Sequence, residues 1–173
     1  MLAENKTFLA KTSVRVAAPR RRRHGAAVLE LALTLAILLN LTFGMVEFGY
    51  YFFVKNTCQG AARDGARAGI VTGATYSTTN TSASITTSVQ TAMSAAGFGT
   101  SSPKYTFSVY DDTTDPTHAS PITTDAGLAA VSTGDALEVD VQGTWSTIGA
   151  GFRPLSLIGS SKVVLGTAVM RHE

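Results

Sequence analysis

The sequence has little of what small enzymes and metalloproteins need. It contains one cysteine, Cys58, so an intramolecular disulfide cannot form and the fold does not depend on a cysteine framework. The three histidines, His24, His118 and His172, are far apart in the chain, and no Cys/His cluster with zinc spacing is present. Gly-x-Ser-x-Gly, His-Glu-x-x-His and P-loop motifs are also absent. We therefore expect no catalytic site, no cofactor and no metal.

Charge is scarce over a long central stretch and concentrated at the beginning of the chain. Before residue 26 there are seven basic residues and only one acidic residue, Glu4. From Ala26 onward, seven basic residues face eleven acidic ones. Because the excess of positive charge belongs to the leader, and no basic stripe with interleaved aromatics follows it, we do not expect nucleic-acid binding. The basic leader is typical of a topology signal or a cytoplasmic tail.

Residues 26–45 form the long apolar run, and Glu30 is its only charged residue. About 20 helical residues rise about 30 Å, which matches the hydrocarbon core of a bilayer. Tyr50 and Tyr51 follow where an interfacial aromatic belt is expected, and the basic leader predicts a cytoplasmic N-terminus. A cleaved secretory signal is the alternative, but its apolar region is shorter and ends at an Ala-x-Ala-like site that this sequence does not have.

Glu30 stands where a carboxylate is costly, because it lies five residues into the apolar run. One interpretation is that its side chain reaches the headgroups and has no special role. The other takes it together with Gly25, since a basic leader, a glycine, four uncharged residues and a glutamate at the fifth position resemble the type IV prepilin signal. The resemblance implies that a membrane aspartyl peptidase cuts between Gly25 and Ala26. It also implies that the new amine of Ala26 and the Glu30 carboxylate set the register between neighbouring subunits.

Three further segments carry a more specific resemblance. Residues 43–49 read FGMVEFG, residues 61–68 read AARDGARA and residues 168–173 read AVMRHE. Together with the leader they resemble the TadE-like minor pseudopilins of tight-adherence (Flp, type IVc) pili, although Leu31 stands where relatives often carry an aromatic. The resemblance implies a role in pilus assembly, cell adhesion and secretion, without catalysis. It also implies four kinds of partner: prepilin peptidase, other pilins and minor pseudopilins, the pilus assembly platform and the lipid bilayer.

The helix is expected to continue outside the membrane through Ile70. Small residues at helical spacing share one face, and Arg63 and Arg67 lie opposite. This face packs either against a partner pilin or, as we slightly favour, against the protein's own C-terminal domain. A second polar and small stripe lies inside the apolar run. The candidate helix-packing residues of the two stripes are Asn40, Gly44, Glu47, Cys58, Ala62, Gly65 and Gly69. Cys58 either cross-links subunits or serves as a small packing residue.

The C-terminal half shows short periodic segments of both kinds. Apolar residues at helical spacing predict a helix over residues 84–96, and alternation predicts strands over residues 104–110, 136–141 and 162–170. The fold class is therefore α+β: a long N-terminal transmembrane helix, a short helix and a small antiparallel sheet. The turn residues Asp111, Asp112 and Asp115 do not match a calcium loop, and Trp145 is expected to pack in the core.

These patterns divide the chain into five predicted segments. They are a basic cytoplasmic leader (1–25), a transmembrane helix (26–54), a helix extension (55–72), a Ser/Thr-rich linker with a short helix (73–103) and a small β domain (104–173). We expect a single-pass protein of the inner membrane with an extracytoplasmic C-terminal domain. The protein either stays in the membrane or joins the pilus fibre. The alternative is an uncleaved single-pass protein whose outer domain binds a ligand or partner, and a membrane-tethered enzyme is a third class.

Overall fold

The computed structural model describes residues 24–71, 84–99, 104–149 and 154–172, with His24 described by its backbone alone. The predicted leader, apart from its last two residues, lies outside the described residues. By their internal contacts, residues up to Ile37 form one unit and Leu38–Glu173 form a second. The element order of helices and strands is that of an α+β fold, as predicted.

One helix, α1 (His24–Gly69), runs through 46 residues. Its sequence is rich in Ala and Leu and contains no proline, so nothing interrupts its hydrogen-bond ladder. The Ile70 amide still donates to the Ala66 carbonyl oxygen at 3.1 Å, so the helix ends within a residue of the predicted position. Among the described residues, α1 is the one helix long and apolar enough to cross a membrane.

Three antiparallel strands form the sheet, in the order β1–β2–β3: β1 (Thr106–Asp111), β2 (Ala136–Thr144) and β3 (Val163–Arg171). The antiparallel sheet is confirmed. In the register Val109 faces Val139, and Val139 faces Ala168. Side chains alternate along a strand, so every second residue counted from Val109, Val139 and Ala168 lies on the same face of the sheet. This inner face points towards the core. The opposite row, which includes Tyr110 and Glu138, lies on the outer face.

The helix α2 (Ser84–Ala95) covers part of the inner face. Ile85, Val89 and Met93 are fully buried, as the helical spacing predicted. The helix is followed by Gly97 at φ +88°, and the Phe98 amide donates to the Met93 carbonyl oxygen at 3.0 Å. A left-handed glycine at this place is a common way to end a helix.

Two further helices, α3 (Asp125–Ala129) and α4 (Trp145–Ile148), are too short to show a period in the sequence. The Thr124 hydroxyl accepts a hydrogen bond from the Gly127 amide and caps α3. The connection between β1 and β2 is therefore partly helical. It also returns to the sheet, because the Ile122 amide donates to the Val109 carbonyl oxygen at 2.7 Å.

The second half of α1 packs directly on this domain. Gly65 lies against Val89 and Val139, and Gly69 lies against Ile85 and Leu137. At the edge strand, Gly166 of β3 approaches so closely that a Cβ there would overlap the backbone of Cys58 and Gln59. Side chains at these positions would force the helix off the sheet, so the small residues set the distance between the two elements.

Replacing Gly166 by valine tests this close approach. We expect Gly166→Val to lower the free energy of unfolding by about 3 kcal/mol or more, since the overlap is with backbone that cannot move aside. Gly60→Ala is the matched control, because a Cβ at Gly60 meets nothing within 4 Å. Denaturant unfolding of the full-length protein in detergent measures both. Equal stability of Gly166→Val and the wild type would contradict the observed packing.

Candidate functional site

The predicted processing site lies at the beginning of α1. Gly25, Ala26 and Glu30 are all exposed, and a side chain at Gly25 would meet nothing within 4 Å. The Gly25–Ala26 peptide lies at the N-terminal end of the described part of α1, directly before the apolar run.

Glu30 is followed on the same side of the helix by Thr34, whose hydroxyl donates to the Glu30 carbonyl oxygen at 2.8 Å. The Glu30 carboxylate is exposed among apolar side chains that are exposed too. Exposed large apolar side chains recur along α1 from Val28 to Phe53. An apolar surface of this extent on a single helix requires lipid or a partner helix to cover it.

From Gly44 onward, α1 changes character because one face becomes buried. The buried positions follow helical spacing, with steps of three, four or seven residues and two adjacent pairs: Gly44, Glu47, Val54, Cys58, Ala61, Ala62, Gly65, Ala66 and Gly69. Glu47 and Cys58 are eleven residues apart, which is three helical turns plus about 20°. The two stripes predicted from the sequence are therefore one stripe, and Asn40 stands outside it because it is exposed.

This stripe lies against the protein's own domain. Burial raises the pKa of the Cys58 thiol to about 11, so the thiol is protonated and unreactive in the folded protein. The neighbouring Gln59 side chain hydrogen-bonds to β3: its Nε2 donates to the Thr167 carbonyl oxygen, and its Oε1 accepts from the Thr167 amide at 3.4 Å. The amide side chain thus satisfies backbone groups at the edge of the sheet.

The aromatic pair before this stripe also packs inward. Trp145 is fully buried, and its ring centre is 5.8 Å from that of Tyr50 and 5.4 Å from that of Tyr51. Both tyrosines are half-buried on this ring. Trp145 is therefore a core residue, as expected, while the predicted aromatic belt is partly covered by the domain.

Glu47 makes contacts that the sequence did not reveal. Its carboxylate is completely buried, and it accepts hydrogen bonds from the Leu155 amide at 3.1 Å and the Ile158 amide at 3.2 Å. The two partners lie more than 100 residues further along the chain, so no local pattern could identify them. Charge-assisted bonds of this kind are stronger than neutral ones.

The outer face of the sheet carries a cluster that sequence reasoning also missed. The His118 Nε2 atom lies 3.0 Å from Glu138 Oε2 and 3.4 Å from Asp112 Oδ1, and the imidazole stacks on Tyr110 with ring centres 4.8 Å apart. His118 reaches this position with a φ of +55°. Because Glu138 is buried, its partner is needed to compensate the charge.

The charges in this cluster shift two pKa values. The hydrogen bond with Asp112 raises the pKa of His118, and the charges of Glu138 and Asp140 add to this effect. Burial raises the pKa of Glu138, assisted by the charge of Asp140, although His118 acts in the opposite direction. Asp112, His118 and Glu138 could also hold a cation, since each offers one ligand atom and these atoms lie within 4.8 Å of one another.

The similarity of this chain to known proteins lies in α1. Residues 25–67 match the model of the family described as TadE-like protein. No curated protein and no solved structure matches the chain. The TadE-like family is a structural, pilus-associated family, and this chain is similar to it over residues 25–67.

The TadE-like segment, residues 25–67, begins at the predicted cleavage glycine and contains Glu30, Glu47 and Gln59. It covers nearly all of α1, whereas the sheet and the His118 cluster lie beyond it. The family match therefore concerns the helix and the face by which it holds the domain.

The His118 cluster predicts a dependence of stability on pH. A raised histidine pKa means that the folded state binds the proton more tightly, so this stabilisation is complete below the unfolded pKa of about 6.5. It is lost as pH rises through the folded pKa. We expect the difference in unfolding free energy between the wild type and His118→Gln to be larger at pH 6 than at pH 9. In an Asp112→Asn background, the effect of His118→Gln on the unfolding free energy should change less between pH 6 and pH 9. Parallel profiles of unfolding free energy against pH for the wild type and His118→Gln would contradict a raised pKa of His118.

Proposed function

We propose that this chain is a minor pseudopilin that takes part in the assembly of a tight-adherence (type IVc) pilus. The single observation that carries the proposal is the match of residues 25–67 to the TadE-like family, on a helix whose first half is exposed and apolar. In this proposal the leader, residues 1–25, is cytoplasmic and is removed by prepilin peptidase. Of the membrane segment, residues 26–54, the apolar run 26–45 lies in the hydrocarbon core of the inner membrane and the remainder lies at its outer interface. The helix extension that follows lies outside the membrane.

Two features support cleavage after Gly25. The family match begins at this residue, and glycine presents no side chain that would obstruct an extended peptide in a protease site. The seven basic residues that precede the site favour retention of this end in the cytoplasm.

Glu30 is the proposed assembly residue. After cleavage, the α-amine of Ala26 would lie one turn from Glu30, about 6 Å along the helix axis. A positive terminus and a carboxylate in an apolar setting each carry a desolvation cost, and pairing offsets it. Because Glu30 is exposed on α1, a neighbouring subunit can approach it. Pairing between adjacent subunits would then make lateral assembly depend on this one charge.

The surface available for assembly is restricted by the protein's own domain. Cys58, Ala62, Gly65 and Gly69 face the sheet and α2, which supports the interpretation of these residues as an internal packing face. Lateral contacts with other pilins are therefore proposed on the apolar surface before Gly44 and on the side of the helix that carries Arg63 and Arg67.

Cleavage can be tested by the mass of the membrane-extracted protein. We expect the mature chain to begin at Ala26, and we expect Gly25→Val to retain the leader because its branched side chain obstructs the peptidase. Gly49→Val is the control, since Gly49 is likewise exposed on α1 with open space around it. A wild-type chain that begins at Met1 in cells with active prepilin peptidase would favour the alternative, an uncleaved membrane protein with a ligand- or partner-binding outer domain.

The role of Glu30 can be tested by assembly. Glu30→Ala should be processed normally, but we expect incorporation with other subunits to fall by about tenfold, consistent with the loss of one charge pair in an apolar setting. Thr34→Ala, one turn further on the same side, is the matched control. Co-purification with other pilus subunits and counts of pili per cell measure the effect. Normal pilus output from Glu30→Ala would remove the role assigned to this carboxylate.

A further inference from the structure

The segment 154–158, called here the Leu157 loop, is fixed to α1 by a single carboxylate. Glu47 accepts from the backbone amides of Leu155 and Ile158 through its two different oxygens. Between them, Ser156 adopts a left-handed φ of +52°. The loop therefore has a defined conformation whose two ends are held at one point of the helix.

The loop presents apolar side chains instead of the polar residues usual in an exposed turn. Leu157 is 56% exposed, and its Cδ1 atom lies 3.4 Å from where a Cβ of Gly44 would be. Leu155 and Ile158 are half-buried beside it. Leu157 thus adjoins the exposed apolar surface of α1, which needs lipid or a partner helix to cover it, and the environment that covers this surface also covers Leu157.

The position of the loop along α1 indicates what that environment is. The sheet contacts the helix at Cys58, whereas the loop contacts it at Glu47, about 16 Å closer to the apolar run. Gly44 is the nineteenth residue after Gly25, and the hydrocarbon core takes about 20 helical residues. Leu157 therefore lies at the level where the membrane span ends.

The surroundings of the loop fit a lipid surface. Phe48, exposed on the helix, lines a shallow cavity together with Tyr51, Ile158 and Lys162. Aromatic rings beside a lysine form the combination favoured at the boundary between hydrocarbon and headgroups, because the ammonium group can reach lipid phosphates. The loop also covers Glu47, which would otherwise present a charge to that boundary.

We propose that the Leu157 loop inserts into the outer leaflet of the membrane and gives the domain a second lipid contact beside α1. This rests on the proposed membrane insertion of α1. The loop holds the domain at a fixed height above the bilayer while the subunit waits in the membrane. When the subunit is removed from the membrane, both the helix and Leu157 must therefore leave the lipid.

Depth-dependent quenching tests the proposal in the full-length protein. In a Cys58→Ala background, single cysteines at Leu157, Leu38 and Ala130 carry an environment-sensitive fluorophore, in vesicles of phosphatidylethanolamine and phosphatidylglycerol. Leu38 lies in the apolar run and reports insertion of the helix, and Ala130 is an exposed residue of the domain. Brominated lipids should quench the labels at Leu157 and Leu38 but leave the label at Ala130 unchanged.

The outcomes separate this inference from the proposed function. Quenching at Leu38 but not at Leu157, with aqueous iodide reaching Leu157, would overturn the loop proposal and leave the anchored helix intact. Protection of Leu157 from both quenchers would mean that protein covers the loop, which also overturns it. Absence of lipid quenching at both Leu38 and Leu157 would contradict insertion of α1 itself.

The role of Glu47 has its own readout. In Glu47→Ala the two amides lose their acceptor, so we expect hydrogen exchange at Leu155 and Ile158 to rise by about tenfold or more and lipid quenching at Leu157 to fall. Glu47→Gln keeps one carbonyl acceptor and should give an intermediate effect. Unchanged exchange at Leu155 and Ile158 in a folded Glu47→Ala protein would show that the carboxylate does not hold the loop.

Discussion

The close approach of α1 to the sheet is the contact on which the rest of the structure depends. Gly166 brings β3 onto the backbone of Cys58, and glycines at 65 and 69 let Val89 and Leu137 reach the helix. Gly65 lies against both Val89 of α2 and Val139 of β2, so the helix gives these two elements a common surface. The small residues of the helix are therefore the reason that a three-stranded sheet can form a core here.

This packing divides one continuous helix by function. Before Gly44 its surface is exposed and mostly apolar, with Glu30 as the one charged residue among residues 26–43, and it needs lipid or neighbouring helices to cover it. From Gly44 onward one face belongs to the protein's own domain, and Glu47 extends that face to the Leu157 loop. In the proposed pseudopilin, this arrangement would leave the first half of α1 available for assembly while the second half holds the domain.

The periodicity of apolar residues in the sequence predicts the main helices and strands, but it does not predict the contacts between residues that are distant in the chain. The apolar run, the spacing of Ile85 and Val89, and the alternation around Val139 predicted α1, α2 and the antiparallel sheet. The partners of Glu47 could not be predicted, because backbone amides leave no trace in a sequence pattern. His118 reaches Glu138 only through the strand pairing and a left-handed backbone at His118 itself. Helices of four or five residues show no usable period.

The native cysteine offers the most direct measurement of the central claim, that the small-residue face of α1 is covered by the chain's own domain. Maleimide labelling of the detergent-dispersed monomer should leave Cys58 unmodified until the protein is denatured, since its thiol is buried. A Cys58→Ala, Arg63→Cys variant should label at once, because Arg63 is exposed on the same helix. Rapid labelling of Cys58 in the folded monomer would show that this face is open, and would contradict the account.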